Sequence, residues 1–394
     1  MNIIFISPGF PRNYEYFCAA LAENGATVLG IGDEPYDELS GSLKASLTEY
    51  YKVGSMENYD EMVRAVGFFT FKYGKIDWLE SNNEYWLETD AALRTDFNIV
   101  TGQKTSDMEK IKHKSAMKAY YQVAGIPVAR YHLVDTLENG LKFVEKVGYP
   151  VVVKPDNGVG AAATYKLENE EQLRAFYAGG WATQYIMEEF IEGEICSYDS
   201  IINSDGVPLL ETGNITPVSI MDLVNEKGDT FFYIVKELAP DVRAAGRACV
   251  SAFGVRSRCT HLEFFRLTKD HPALGKKGTI VGLEVNMRPS GGFTPEMINY
   301  ACSTNFYRDW ADMVYFDRLT LPDYPKKYFA AHYGRRKEHS YRYSHEEIMS
   351  RWGENVMESG ALDPALATAM GDIFYIARFE TEEEMNRWRA EMGE

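Results

Sequence analysis

Glu284, Asn286 and Arg288 stand at two-residue spacing inside an otherwise apolar run formed by Ile280, Val281, Leu283 and Val285. Aliphatic and β-branched residues favour a pleated strand, and in a strand every second side chain points to the same face. A carboxylate, an amide and a guanidinium are therefore aimed at one place, although a buried charge is costly unless it is paired or holds a metal. Glu263 interrupts a second strand-like run, THLEFFRL, in the same way, and the polar segment TKDHPALGKKG joins the two. If the strands pair across that loop, Glu263, Glu284 and Asn286 converge as an oxygen-rich site suited to Mg²⁺ or Mn²⁺. Arg288 on the same face can fork onto a phosphate or a carboxylate. The alternative is a buried ion-pair network. The turn PSGG that follows, with its exposed backbone N–H groups, weighs against it.

Lys154 closes the apolar run Val151–Val153, and Pro155, Asp156, Asn157, Gly158, Val159 and Gly160 follow as a short loop backed by Ala161, Ala162 and Ala163. Small residues let backbone N–H groups approach an anion, and a lysine at the base of the loop supplies charge. By itself the stretch also fits a β-hairpin with a surface lysine. It is not a Walker loop, because Gly-Lys-Ser/Thr is absent. Further on, MEEFIEGEI sets Glu188 and Glu189 before Phe190, Ile191 and Gly193. Taken alone, this is compatible with a strand end that has one face in water.

The elements that must position these residues follow from periodicity. NIIFI, TVLGIG and KIDWLES are strand-like, and the helix-like NYEYFCAALAENG and YDEMVRAVGFFTFKYG separate them, so βαβ units and a parallel sheet are expected. SPGF and GIGDEP fall at strand ends, where open α/β sheets bind ligands, but GIGDEP lacks the full dinucleotide fingerprint. SDMEKIKHKSAMKAYYQVAGIP is expected as one helix capped by Ser106 or Asp107 and stopped by Gly125 and Pro127. A strand-rich region follows, with a hairpin turn at Asn203–Gly206, a helix PDVRAAGRACVSAFGV, and THLEFFRL and GTIVGLEVNMRP as edge strands. The chain closes with a strand and an amphipathic helix in DIFYIARFETEEEMNRWRAEM.

Bulk properties narrow the function classes. At 394 residues two or three lobes are expected. The 58 acidic against 41 basic residues argue against a general nucleic-acid binder. Any anionic ligand must then be held by a local cationic pocket. No run approaches the roughly 20 apolar residues of a membrane span, and the start MNIIFISPGF has no signal-peptide pattern. The five scattered cysteines form no CxxC pair. They suit a reducing compartment, the cytoplasm.

The order of these motifs resembles the ATP-grasp superfamily of carboxylate–amine ligases over roughly residues 105–321. The resemblance implies a mixed α/β and α+β architecture. An N-terminal open α/β (pre-ATP-grasp) domain over 1–104 precedes a two-subdomain ATP-grasp fold over 105–321, whose central subdomain spans about 128–192, and a small C-terminal lobe covers 322–394. KHKSAMKAYYQVAGIP then places Lys114 as one ATP-binding lysine, and YPVVVKP places Lys154 as the second. Gly158 and Gly160 belong to the glycine loop over the phosphates. Glu188, Glu189, Phe190 and Ile191 belong to the segment that meets adenine. Glu263, Glu284 and Asn286 become Mg²⁺ (or Mn²⁺) ligands, and Arg288 a phosphate or acyl-phosphate contact that, with Lys154 and Lys114, carries the catalysis.

Two features depart from the family pattern. The loop carries Ala161, Ala162 and Ala163 where Ser and Gly are usual, and Ile195 stands where a ribose-binding Glu is usual, with Glu194 one residue earlier. The implied activity is ATP-dependent activation of a small carboxylate as an acyl phosphate, then amide or peptide bond formation with an amine, an amino acid among the candidates. Rival readings are an ATP-grasp kinase, a thiol ligase and a non-catalytic ATP-binding regulator. No base for the amine stands out. His261, two residues before Glu263, is either that base or a structural histidine. No membrane or nucleic-acid partner is expected, and a homodimer is compatible with the family.

Overall fold

The apolar runs at the start of the chain become a parallel sheet buried on both faces. The protein is described from a computed structural model covering residues 1–158, 163–217, 228–321, 327–362, 367 and 370–393. β1 (Asn2–Ile6), β2 (Thr27–Gly32), β3 (Glu49–Lys52) and β4 (Trp78–Glu80) lie in the order β3-β2-β1-β4, with every pair parallel. Helices cover both faces, which is why β1 has no alternating pattern. On one face Phe5 meets Phe17 of the helix Glu15–Glu23 and Trp310 of the helix Phe306–Phe316. On the other, Ile4 and Leu79 share a core with Met62, Val66 and Phe69 of the helix Tyr59–Tyr73. One apolar core thus joins the first sheet to helices far along the chain.

Among the described residues two more sheets follow. β5 (Tyr131–Leu133), β6 (Val151–Pro155), β7 (Tyr165–Leu167) and β8 (Tyr185–Glu189) form a four-stranded antiparallel sheet in the order β5-β8-β6-β7. The helices Leu137–Val147 and Glu170–Gly179 contribute Val144 and Leu173 to its core. The third sheet has nine strands. It runs from β14 (Ile280–Asn286) through β13 (Arg258–Leu267), β9 (Gly193–Ile202), β11 (Asn214–Thr216) and β12 (Thr230–Ile234), with β10 (Pro208–Thr212) beside β9. β15 (Phe329–Arg335), β17 (Ile373–Phe379) and β16 (Val356–Ala361) extend the same sheet from β12. The hairpin turn between β9 and β10 sits where NSDG anticipates it, with Gly206 at φ +80°.

Two expectations are corrected. β13 is not an edge strand, because it pairs with both β9 and β14. β14 is the edge, and Pro127 and Val128 cover it through a Gly282 N–H donated to the Pro127 carbonyl at 2.9 Å and a bridge from Val128 to Gly282. Covering an edge protects its unpaired backbone from other chains.

The second correction concerns the single helix expected before Gly125. It is broken at His113, which separates Met108–Lys112 from Lys114–Val123. The cause lies elsewhere in the chain. Asp156, just past β6, accepts the Ser115 N–H at 2.7 Å and the Ser115 hydroxyl at 2.8 Å, and its carbonyl accepts the Lys114 N–H at 2.9 Å. A carboxylate satisfies the free N–H groups at a helix start and complements the dipole there. Replacing Asp156 by alanine should cost about 1–2 kcal/mol, read as a lower urea midpoint. An unchanged midpoint would mean that the break is intrinsic to His113.

Candidate functional site

The β13–β14 hairpin forms as the spacing anticipates. Glu263 faces Glu284 and His261 faces Asn286 across the ladder. The register then slips, because Phe264 pairs with Gly282 and leaves Leu283 as an extra residue on β14. A bulge of this kind re-aims the side chains beside it. Tyr121, fully buried on the helix Lys114–Val123, donates its hydroxyl to the Glu284 carbonyl at 2.8 Å and lies 3.2 Å from the Glu263 carbonyl. A Cβ at position 282 would come within 2.5 Å of the Tyr121 ring. Glycine is therefore what lets this helix approach the bulge. Backbone bonds hold both carboxylate residues in place and leave their side chains to face the cleft.

One helix and the four-stranded sheet bring their lysines to this cleft. Lys114 Nζ lies 3.0 Å from Glu284 Oε1 and donates to the Gly158 carbonyl at 3.2 Å. Lys154 Nζ, on β6, lies 2.7 Å from Glu188 Oε2, on β8. Glu188 also pairs with Lys118, one helical turn beyond Lys114. All three lysines are buried, as is Glu188. Burial alone would raise the Glu188 carboxyl, but Lys118 and Lys154 outweigh it and hold the pKa at about 2. For Lys154 burial works the other way, and Glu188 and Glu284 together raise the ammonium above its ordinary value. The cleft is thus an array of buried, charged groups.

Arg288 is held from the segment that follows β4. Its Nε donates to Glu84 Oε2 at 3.2 Å, and its NH1 donates to the Pro289 carbonyl at 2.7 Å. The other Glu84 oxygen takes Lys112 Nζ at 2.7 Å. Glu84 lies in the turn after β4, 9% exposed. Burial would raise its carboxyl, but Arg288 and Lys112 lower it. Arg288 NH2 also reaches the Asn286 amide oxygen at 3.4 Å.

Other expected residues have different surroundings. Glu189 turns away from the lysines and is bound by the Arg130 side chain and backbone N–H. Phe190 lies under Lys166, whose Nζ is 4.9 Å from the ring centre. Ile191 is buried with Ala129, Leu267 and Val281. Gly158 abuts the Lys114 ammonium, and Gly160 falls outside the described residues. His261 is not a free base. Burial would lower its pKa, but Asp199 at 2.6 Å and Glu263 at 3.3 Å push it up to about 10.

Lys118, Glu84, Lys112 and Tyr121 escape a reading of the sequence. Only Lys118 leaves a signal, since it lies four residues after Lys114 and hence on the same helix face.

Residues 122–239 match the model of an ATP-grasp domain. The chain is 25% identical over 235 residues to the L-arginine-specific L-amino acid ligase of Bacillus subtilis, covering 58% of this chain and 55% of that protein. It is also 25% identical over 183 residues to the carbamoyl phosphate synthase large chain of Clostridium beijerinckii, covering 43% of this chain and 17% of that protein. The chain thus matches about half, or less, of the length of these curated relatives. The solved structure of the L-amino acid ligase from Bacillus licheniformis superposes with a TM-score of 0.73 at 17% identity, covering 99% of this chain and 96% of that one. The N5-carboxyaminoimidazole synthetase of Staphylococcus aureus, complexed with ADP, gives a TM-score of 0.70 at 13% identity, covering 99% and 96%. At these identities the structural likeness shows the fold. The chain thus carries a match to an ATP-grasp domain at its centre and shares the fold of these ligases along its length.

Proposed function

We propose that the protein is an ATP-dependent carboxylate–amine ligase. The observation that carries this reading is the convergence of Lys114 and Lys118, on one helix, and Lys154, on β6, with the facing carboxylates Glu263 and Glu284 and the anchored Arg288. Cations in a buried cleft suit a polyphosphate, and phosphoryl transfer is mostly positioning and charge neutralisation. ATP would lie between the four-stranded sheet and β13–β14, its adenine near Glu189–Ile191 and its phosphates at Lys114 and Lys154. Glu188 would keep Lys118 and Lys154 in register.

Among the described residues no cluster of three or more His, Cys, Asp or Glu side chains is gathered for a metal. Two facing carboxylates and the amide of Asn286 nonetheless make an all-oxygen donor set. That set fits Mg²⁺ or Mn²⁺, which complete their shell with phosphate oxygens and water. Glu263, Glu284 and Asn286 would hold the ion, and its chemistry is to neutralise charge on the phosphates.

The reaction follows from these placements. A substrate carboxylate oxygen attacks the γ-phosphorus, the bond to ADP breaks, and Arg288 faces the resulting acyl phosphate. The amine nitrogen then attacks the acyl carbon, phosphate leaves and the amine loses a proton. Backbone N–H groups of Ser290 to Gly292 suit the oxyanion formed in this second step. The five cysteines are free and buried, which fits a reducing compartment, the cytoplasm. No helix of the described residues is long and apolar enough to cross a membrane.

The test is ADP and phosphate release with Mg²⁺, ATP and pooled amino acids and small carboxylates, read beside product mass. Phosphate release that requires both a carboxylate and an amine, with a product lighter than their sum by one water, supports the ligase. A phosphorylated product would make the protein a kinase. Lys118→Met should raise the KM for ATP about tenfold, equivalent to about 1.4 kcal/mol of binding, with a smaller change in kcat. Unchanged ATP kinetics in this variant would remove Lys118 from the site.

A further inference from the structure

The first sheet ends in a cavity of about 420 Å³ that the reaction described above does not use. It opens at the carboxyl ends of β1, β2 and β4, where α/β sheets bind ligands, and its size suits a small molecule. Building on the ligase reading, we infer that this cavity selects one of the two substrates. The substrate it takes carries a second, cationic group on an apolar body, as a basic amino acid or a diamine does.

Three observations support this. The walls are aromatic. Phe10, Tyr50, Tyr85 and Trp86 line the space, and Phe10 and Tyr85 are 55% and 58% exposed, so large apolar faces stand open to it. Aromatic faces attract ammonium and guanidinium groups as well as methylene chains. The charge at the rim is of one sign. Asp33 and Glu34 line the cavity, and neither has an ion-pair partner among the described residues. The shape depends on two glycines. A Cβ at Gly9 would lie 2.2 Å from Glu34 Oε2, and one at Gly32 would lie 2.5 Å from the Tyr50 hydroxyl. Any larger residue would displace a group that the cavity presents.

The same loops touch the reaction centre. Asn83, Tyr85 and Trp86 line the cavity, while Glu84 between them turns the other way and holds Arg288. The loop after β1 supplies Phe10 to the cavity, and its Asn13 amide donates to the Gly292 carbonyl at 3.2 Å. An occupant therefore contacts both segments that fix Arg288 and the PSGG turn. Its reacting group would face them, with its cation against Asp33 and Glu34.

The experiment is calorimetric titration of the full chain with L-arginine and 1,5-diaminopentane, and with norleucine as a neutral probe. It is repeated on a variant carrying Asp33→Asn and Glu34→Gln, with melting temperature as the check on folding. The expected result is binding of both cationic probes at least tenfold tighter than norleucine, with that advantage lost in the variant. Equal binding of all three probes, no binding of the cationic pair, or an advantage that survives in the variant would overturn the inference. The ligase reading is scored separately by ADP release. Charge-selective binding without turnover leaves the cavity standing and removes the ligase. Turnover without charge selectivity does the reverse.

Discussion

Glu284→Ala is expected to lower ATP turnover by about 10³-fold, the scale of losing one charge-stabilising group from a buried reaction centre, while the chain stays folded. Glu284 faces Glu263 across the ladder and reaches Lys114 at 3.0 Å, so its removal takes away one of the two carboxylates of the proposed oxygen donor set. The fold should survive, because the strand is held through the backbone. Tyr121 bonds the Glu284 carbonyl rather than its carboxylate, and the β13–β14 ladder is unaffected. Lys114 loses one partner but keeps the Gly158 carbonyl at 3.2 Å. Glu284→Gln separates charge from shape, since it retains one oxygen of the same reach. The variants are compared by ADP release at saturating ATP and by thermal melting. Turnover within tenfold of the parent in Glu284→Ala would end the metal assignment. A collapsed melting curve would instead make Glu284 a structural residue.

The second large effect is on stability. Replacing Glu80 by alanine should cost about 3–5 kcal/mol, the range for breaking a buried ion pair from one side. Glu80 ends β4 and is 2% exposed. Its Oε2 lies 2.9 Å from Arg94 NH2 and 2.7 Å from Arg258 NH2, and both arginines are buried. Burial would raise the Glu80 carboxyl, but Arg258 and Arg94 lower it. Removing the carboxylate takes from Arg258 its ion-pair partner among the described residues and leaves Arg94 only the more distant Asp90, at 3.9 Å.

The damage would also travel to the site. Arg258 NH1 donates to the Met287 carbonyl at 2.6 Å, between Asn286 and Arg288. The loss is measured as a shift in urea midpoint at constant slope, with ADP release on the folded fraction. An unchanged midpoint would show that solvent reaches the arginines and that the cluster is not structural. Glu80→Gln should cost less, because an amide oxygen in place of Oε2 still accepts from Arg258 NH2.

How much of this was legible depended on distance along the chain. The pairing of Glu263 with Glu284 could be anticipated because one short loop joins their strands, so few other partners compete. The lysine at the end of β6 was legible because charge after a run of valines is conspicuous. Lys118 could be placed on the face of Lys114 by helical period, but not its partner Glu188, which comes from another sheet. Glu84 gave no local sign at all. Its significance lies in meeting Arg288, 204 residues later. The break at His113 was invisible for the same reason, since the carboxylate that starts the second helix belongs to Asp156.

By itself the sequence determined the elements and the inventory of chemistry. Apolar period decides strand or helix locally, and a polar residue at the wrong phase marks a site wherever the chain folds. Tertiary structure decided which charges meet. It gave Glu188 to two lysines, turned Glu189 to Arg130, tied His261 to Asp199 and brought the turn after β4 onto Arg288. The physical reason is that hydrophobic burial is non-directional and follows local pattern. An ion pair instead depends on position to within an ångström or two and on how far water is excluded. Both are set only when separate sheets close on one cleft.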